Sequence, residues 1–274
     1  VTQIANLYDW LSRYVQLANW IAYRDRYAGF TMHKPIGESG VRTVNERLLA
    51  VADLPPNPRI LDAGCGFGGT IFAWHERIGG TYDGLTLSGV QARVAAREAK
   101  RRGIDAHFHL RSFDERIEEK YDAIIAIETL IHAPDLARTV RNLASALLPG
   151  GKLLVVDDMP DGDVPAYDTA LLAQYWSSRA WSIEEFRRAF VDAGLRIDAE
   201  EDLTAGVRSR DAATLAKVEQ RYRRLYRIPL APARAVLSAY IGGVAIERLY
   251  ATGVMRYRLF ATRSLRERPP DPAR

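Results

Sequence analysis

The most chemically suggestive run in this 274-residue sequence is Asp62-Ala63-Gly64-Cys65-Gly66-Phe67-Gly68-Gly69. Glycines at this spacing let a chain turn sharply and let a ligand approach bare backbone. Gly64, Gly66 and Gly69 also satisfy the dinucleotide pattern G-x-G-x-x-G, a weak signal when taken alone. Two details weigh against a dinucleotide. Asp62 stands just before the first glycine, where its charge repels a pyrophosphate and can pair with an ammonium. No acid closes the next apolar segment to hold an adenosine ribose, because Gly84-Leu85-Thr86 runs on past Asp83. The loop therefore suits a cationic nucleotide that carries an amino acid.

Three further groups could act. Ile127-Glu128-Thr129-Leu130-Ile131-His132 places a carboxylate and an imidazole where a proton can be accepted or a group oriented. Glu128 and His132 are the candidate catalytic residues; helix capping and a satisfied structural histidine are the competing roles. Arg256 and Arg258 share one face of a final apolar segment, with Met255, Tyr257 and Leu259 on the other. Buried guanidinium groups need partners, either structural carboxylates or a substrate phosphate. Asp157-Asp158, with Glu128, is a carboxylate set of the type that holds Mg²⁺.

The elements that must carry these residues are legible from periodicity. Short apolar runs at Arg59–Asp62, Thr81–Thr86, Ala106–Leu110, Tyr121–Ile127 and Lys152–Asp157 predict strands, joined by Leu195–Glu201 and Val254–Ala261. Helices are predicted from Leu7, Trp10, Leu11 and Tyr14 at the start, and then over Val41–Ala52, Val90–Arg102, Pro134–Leu148 and a stretch ending at Tyr175. Ser182-Ile183-Glu184-Glu185 is a capping box opening a helix that closes at Gly194. Helices over Ala212–Arg227 and Ala233–Tyr250 follow, the second expected to bend at Gly242-Gly243. Pro149-Gly150-Gly151 predicts a turn into the fifth strand. Alternating strands and helices define an α/β fold with a doubly wound, mostly parallel sheet. In such a sheet the reacting centre lies beyond the carboxyl ends of the strands, where Asp62 and Glu128 both fall.

Set in this order, the motifs resemble those of the class I S-adenosylmethionine (SAM)-dependent methyltransferases. Leu61 to Gly69 looks like the first motif of that family, and Leu147-Leu148-Pro149-Gly150-Gly151-Lys152-Leu153 like the turn before its fifth strand. Gly84-Leu85-Thr86-Leu87-Ser88-Gly89-Val90-Gln91 is similar to the G-[VL]-T-L-S-x-x-Q stretch of the branch with cyclopropane-fatty-acid synthases and with sterol and prenyl-diphosphate C-methyltransferases. The resemblance implies a seven-stranded Rossmann-like sheet with N-terminal helices and a helical lid. It implies SAM as cofactor, held by Asp62, Gly64, Cys65, Gly66, Thr86, Leu87, Gln91, Ser112, Phe113, Asp114 and Ile127. Within that branch a residue matching Glu128 handles the proton lost from a carbocation-like intermediate. The match to the Mg²⁺-dependent catechol-type enzymes is poor, so no protein-held metal is expected; Mg²⁺ would come only with a diphosphate substrate.

Composition bounds the rest. A hydrophobic share of 47% with 26% charged residues provides for a real core. Cys65 is the sole cysteine, which excludes an internal disulfide and suits a reducing, cytoplasmic setting. No apolar run is long enough to span a membrane, and no secretory signal is expected at the start. Residues 204–274 carry a net charge of +10 and the remainder −6. The arginines are dispersed and no nucleic-acid motif accompanies them, so nucleic acid is not an expected partner. A homo-oligomer is left open.

The expected organisation is a helical cap over 1–55, a SAM-binding core over 56–203, a helical lid over 204–253, a last core strand at 254–263 and a disordered tail over 264–274. Substrate walls are expected from outside the core: Tyr23 and His33 of the N-terminal segment that also contains Tyr8, Trp176, and Tyr222 of the helices before the last strand, with Arg256 and Arg258 on that strand offering a phosphate site. The reading is a methyltransferase for a small hydrophobic molecule, led by C-methylation of an isoprenoid or prenyl diphosphate. Natural-product O-methylation with His132 as base, cyclopropane synthesis, a non-catalytic SAM-binding protein and a nicotinamide oxidoreductase are the alternatives.

Overall fold

The computed structural model describes residues 2–23, 34, 36, 42–228 and 231–266. Strands β1 (Arg59–Ala63), β2 (Thr81–Thr86), β3 (Ala106–Leu110) and β4 (Tyr121–Ile127) alternate with helices α3 (Gly69–Ile78) and α4 (Gly89–Arg102). Then come α5 (Leu136–Ser145), β5 (Leu147–Pro160), α6 (Ala166–Leu171), α7 (Ile183–Asp192) and β6 (Leu195–Asp202). Helices α8 (Ala212–Tyr226) and α9 (Ala231–Ala251) precede β7 (Met255–Ser264), while α1 (Thr2–Tyr23) and α2 (Arg42–Ala52) open the chain. The strands form one seven-stranded sheet in the order β3-β2-β1-β4-β5-β7-β6. β1 to β5 pair in parallel; β7 runs antiparallel between β5 and β6. This is the doubly wound fold expected from the alternation.

Apolar runs form strands here because helices cover both faces of the sheet. Leu61, Ile124, Val140, Phe186, Phe190 and Phe260 fill one side, beneath α5 and α7. Ile60, Leu48, Ile71, Trp74, Ile125 and Tyr257 fill the other, beneath α2 and α3. A third cluster joins Ile131, Leu171, Leu172 and Tyr175 to Ile241, Ala245 and Leu249 of α9. Among the described residues, no helix is long and apolar enough to cross a membrane.

Helix ends follow local chemistry. Asp135 and Ser182 accept the amides of Arg138 and Glu185 to open α5 and α7, and the Ser182–Glu185 capping box is complete. One expectation needs correction. Pro149-Gly150-Gly151 does not end a helix reaching Leu148; α5 stops at Ser145, and the tripeptide forms an irregularity within β5, whose register against β4 shifts there. Gly242-Gly243 lies within α9, which runs as one helix from Ala231 to Ala251. A Cβ on Gly242 would lie 2.8 Å from Cβ of Trp176, so this glycine admits a π-helical turn, Leu172–Trp176, against α9. The tail beyond 266 lies outside the described residues.

Many basic residues of the last third are paired. Arg248 donates to Asp168 at 2.9 Å and to Glu219 at 2.7 Å, pinning α6 and α8 to α9. Arg210 forks onto Glu247 at 2.9 and 2.6 Å.

Candidate active site

The chain reverses winding direction between β1 and β4, and the crevice beyond their carboxyl ends is a cavity of 430 Å³. The loop after β1 forms its floor. Gly64 adopts φ +107°, and a Cβ there would lie 2.2 Å from Oγ1 of Thr129, so only glycine lets the loop pass under the turn after β4. The amides of Gly64 and Cys65 both donate to the Leu85 carbonyl, at 3.0 and 2.9 Å, tying the loop to β2. Gly84 is equally constrained, since a Cβ there would meet the Cys65 sulfur at 2.7 Å.

Asp62 ends up differently from its sequence reading. It does not line the cavity but lies beneath the loop, 4% exposed, close enough to Cys65 for its charge to help burial push that thiol up. Among the described residues no hydrogen bond or ion pair reaches the Asp62 carboxylate. Burial raises its pKa to about 7. A buried carboxylate without a partner fits a cationic ligand group above it.

Gly64, Cys65, Gly66, Thr86, Leu87, Gln91, Ser112, Phe113, Asp114 and Ile127 all line this cavity, as the resemblance implied. The Thr86 hydroxyl donates to Oε1 of Gln91 at 2.7 Å, fixing both side chains at the start of α4. Asp114 takes a short hydrogen bond from Thr139 through one carboxylate oxygen. Asp83, the acid that sits badly for a ribose, instead receives Arg59, His109 and Tyr121 at 3.2, 3.0 and 3.0 Å. Burial opposes its ionisation, but those three donors prevail and its pKa is lowered.

Glu128 and His132 face the same cavity from the other end. Glu128 is a non-glycine residue at φ +51°, a strained conformation that turns its side chain out of the strand line; its amide donates to the Val156 carbonyl at 2.7 Å. Its Oε1 accepts the Lys34 amide at 2.7 Å and the Tyr257 hydroxyl at 2.8 Å. The Lys34 ammonium sits 2.5 Å from Asp158 and 3.7 Å from Glu128. Burial alone would pull Lys34 down; Asp158 and Glu128 outweigh it, so its pKa is raised. Asp157, behind them, is pushed to about 8 by burial and by the charge of Asp158, and accepts the Ile131 amide at 3.0 Å.

His132 lies on a 3-10 turn, Leu130–His132. Its Nε2 is 2.9 Å from the Tyr8 hydroxyl, and among the described residues no geometric hydrogen bond reaches Nδ1. Burial lowers its pKa to about 4 against the opposing backbone of Ser177 and Trp176, so the imidazole is neutral at neutral pH. Trp176 lines the cavity beside it, ring centroids 5.8 Å apart.

Of the other expected substrate residues, His33 and the Tyr23 side chain lie outside the described residues. Tyr222 is not on the cavity wall; it stacks on Tyr240 at 5.1 Å between α8 and α9. Arg256 and Arg258 are also placed elsewhere. Arg258 is held by Glu200 and, at 3.2 Å, by Asp202 of β6, and Arg256 lies 3.7 Å from Asp161. The antiparallel pairing of β7 with β6 sets Asp202 opposite Arg258, with Glu200 two residues along β6, and the pairing of β7 with β5 brings Arg256 beside Asp161, just past the end of β5, so structural partners take both guanidiniums. The alternation along β7 was informative on its opposite face, where Tyr257 reaches Glu128. Among the described residues, no three carboxylate, histidine or cysteine side chains converge to hold a metal. Asp158 is engaged by Lys34 and by Tyr250.

Sheet order, glycine loop and crevice define a methyltransferase domain of the class I, SAM-dependent fold. Residues 61–153 match the methyltransferase domain family. Methyltransferase GfsG of Streptomyces halstedii is 30% identical over 155 residues, covering 55% of this chain and 55% of that protein. The chain thus spans about half the length of that relative. Two solved structures share the fold. The [4+2]-cyclase SpnF superposes with a TM-score of 0.72 at 18% identity, covering 95% of this chain and 94% of the other. A geranyl diphosphate methyltransferase in complex with GPP and sinefungin gives 0.68 at 22%, covering 86% and 91%.

Proposed function

We propose that this chain transfers the methyl group of SAM to a small, largely apolar and uncharged molecule of the natural-product type. The observation that carries the reading is one cavity with two dissimilar ends. At one end a glycine loop lies over an unpartnered carboxylate, Asp62; at the other, a neutral imidazole and a tethered carboxylate face the same space. The cofactor, when bound, supplies an electrophilic methyl group on a sulfonium. Asp62 and the peptide carbonyls of the loop after it suit its ammonium, Thr86, Leu87 and Gln91 its ribose, and Ser112, Phe113 and Asp114 its adenine. The chain's task is then alignment and exclusion of water.

The finer reading is O-methylation of a hydroxyl. His132 is neutral, buried and on the cavity wall, so it can take the hydroxyl proton as the oxygen acquires the methyl group. Glu128, already accepting from Lys34 and Tyr257, is better placed to orient than to abstract. A diphosphate acceptor is disfavoured, because among the described residues Glu128, Asp157 and Asp158 gather around Lys34 at this end, an excess of negative charge that Arg179 on the same wall does not reverse, while Arg256 and Arg258 lie elsewhere. Methyl transfer therefore needs no Mg²⁺ and persists in EDTA. C-methylation of a neutral alkene is the second reading, favoured by those same carboxylates, which would stabilise a developing cation.

The test is calorimetric titration with SAM and S-adenosylhomocysteine (SAH), with NAD(P)H as control, followed by mass spectrometry of neutral polyketide and isoprenoid alcohols and alkenes after incubation with SAM. SAH binding with a methyl ether as product supports the reading. A ring-closed or rearranged product without methyl gain, in line with the fold shared with a cyclase, overturns it. His132→Ala abolishing transfer, with Glu128→Gln retaining a substantial part, selects the hydroxyl acceptor; the reverse selects the alkene.

A further inference from the structure

Helix α1 packs outside the sheet, yet Ile4 and Tyr8 form part of the cavity wall. Two adjacent side chains hold it there and reach opposite ends of the site. Tyr8 meets His132 at the acceptor end. Asp9 turns to the cofactor end, where its Oδ1 accepts the Ser88 hydroxyl at 2.5 Å and the Val90 amide at 3.2 Å. Ser88 is fully buried and caps α4, its own oxygen accepting the Gln91 amide at 3.2 Å. The first turn of α4 is thus capped twice, once from within by Ser88 and once from α1. A carboxylate at this end also complements the helix dipole. The same turn carries Gln91, whose side chain receives the Thr86 hydroxyl on the cavity wall. Elsewhere α1 packs along α9, burying Leu7, Ser12 and Asn19 while Trp10, Leu17 and Ile21 stay exposed, so the Tyr8–Asp9 pair is its polar link to the two ends of the site.

We propose that Asp9 is a positioning residue of the active site: it latches α1 onto the Ser88–Gln91 turn, so that a formed nucleotide end and a closed acceptor end, with Tyr8 against His132, occur together. Release of product cofactor requires this latch to open. The inference rests on the reading that the glycine loop binds SAM, and it goes beyond it by assigning closure to a residue that touches neither ligand.

The experiment is stopped-flow measurement of SAH dissociation from the full chain, using intrinsic tryptophan fluorescence, with a thermal melt of every variant. Asp9→Ala should raise the dissociation rate by about tenfold or more, the equivalent of one lost charge-assisted hydrogen bond. Asp9→Asn keeps an acceptor oxygen but loses the charge, and should stay within about threefold of wild type, since a neutral bond is roughly half as strong. An Asp9→Ala protein that releases SAH within twofold of the wild-type rate overturns the proposal. So does an Asp9→Asn variant as fast as Asp9→Ala, or a rate that merely tracks melting temperature across the set. A wild-type chain that binds no SAH overturns the cofactor reading and this proposal with it; unchanged release alongside intact wild-type binding overturns the latch alone.

Discussion

Replacing Asp62 with asparagine should move stability and ligand binding in opposite directions. Burial lifts the Asp62 carboxyl from 3.8 to about 7 in the ligand-free protein. At about 1.36 kcal/mol per pKa unit, keeping it ionised at pH 8 costs about 4 kcal/mol. The sign follows from the folded pKa lying above the unfolded one: the folded state gains relative stability as pH falls from about 7 toward 4, and loses it on the way up. Asparagine removes the charge but leaves a buried amide, whose unmet hydrogen bonds return roughly 1–3 kcal/mol of that gain. Ligand-free Asp62→Asn is therefore expected to be more stable than wild type at pH 8 by about 1–3 kcal/mol, seen as a melting temperature a few degrees higher. At pH 5 the difference should shrink or reverse. The variant should bind SAH roughly 10- to 100-fold more weakly, having lost the partner of the ammonium. For wild type, SAH affinity should drop by about tenfold between pH 8 and pH 6, as Asp62 takes up its proton. Urea titrations at both pH values and calorimetry in buffers of differing protonation enthalpy report these quantities. An Asp62→Asn protein that is less stable than wild type at pH 8, or that binds SAH equally well, would refute the placement of an unpaired charge beneath the loop.

Gly64→Ala should abolish SAH binding in a chain that still folds, because its Cβ would overlap the Thr129 hydroxyl at φ +107°; nearly unchanged calorimetry would contradict this. Tyr257→Phe leaves Glu128 with one donor fewer, and the expected outcome is a methyl-transfer rate about tenfold lower with SAH affinity unchanged. Arg258→Leu should lower the urea midpoint by leaving Asp202 without its arginine and Glu200 with Arg187 alone, while SAH affinity stays within twofold of wild type; a selective loss of binding would return this arginine to the site. The pH–rate profile of transfer should show no ionisation of His132 between pH 6 and 8, since its pKa lies near 4; a limb near 6.5 would place the residue in contact with water.

The centre of the sheet was legible because β4 and the later part of β5 are buried on both sides and read as near-continuous apolar runs, and even the half-exposed β3 begins and ends, with β2 and β4, where the residues alone suggest. The glycine-loop end of the cavity was legible for a related reason: a loop that must pass under Thr129 and beside Gly84 demands glycine at fixed positions. The end at Glu128 and His132 was less so. Lys34 meets Asp158, and Tyr8 meets His132, each across 124 residues of chain, and no local pattern encodes such pairings. In β7 the eye goes to Arg256 and Arg258, whereas the alternation that set them on one face set Tyr257 on the other. Glycine within a helix signals either a weak point or a close neighbour, and the packing of Trp176 on Gly242, invisible in the sequence, supplies the second.

The insertion of β7 between β5 and β6 dictates an order of assembly during synthesis. Until the ribosome has released the residues after α9, β5 is the rim of an unfinished sheet, and its run from Leu153 to Val156, wholly enclosed in the finished protein, stays open to association with other chains. The nascent polypeptide must therefore hold an apolar rim unpaired while α8 and α9 are made. Truncation anywhere before Met255 would leave that rim permanently exposed and yield an insoluble product instead of a smaller working enzyme.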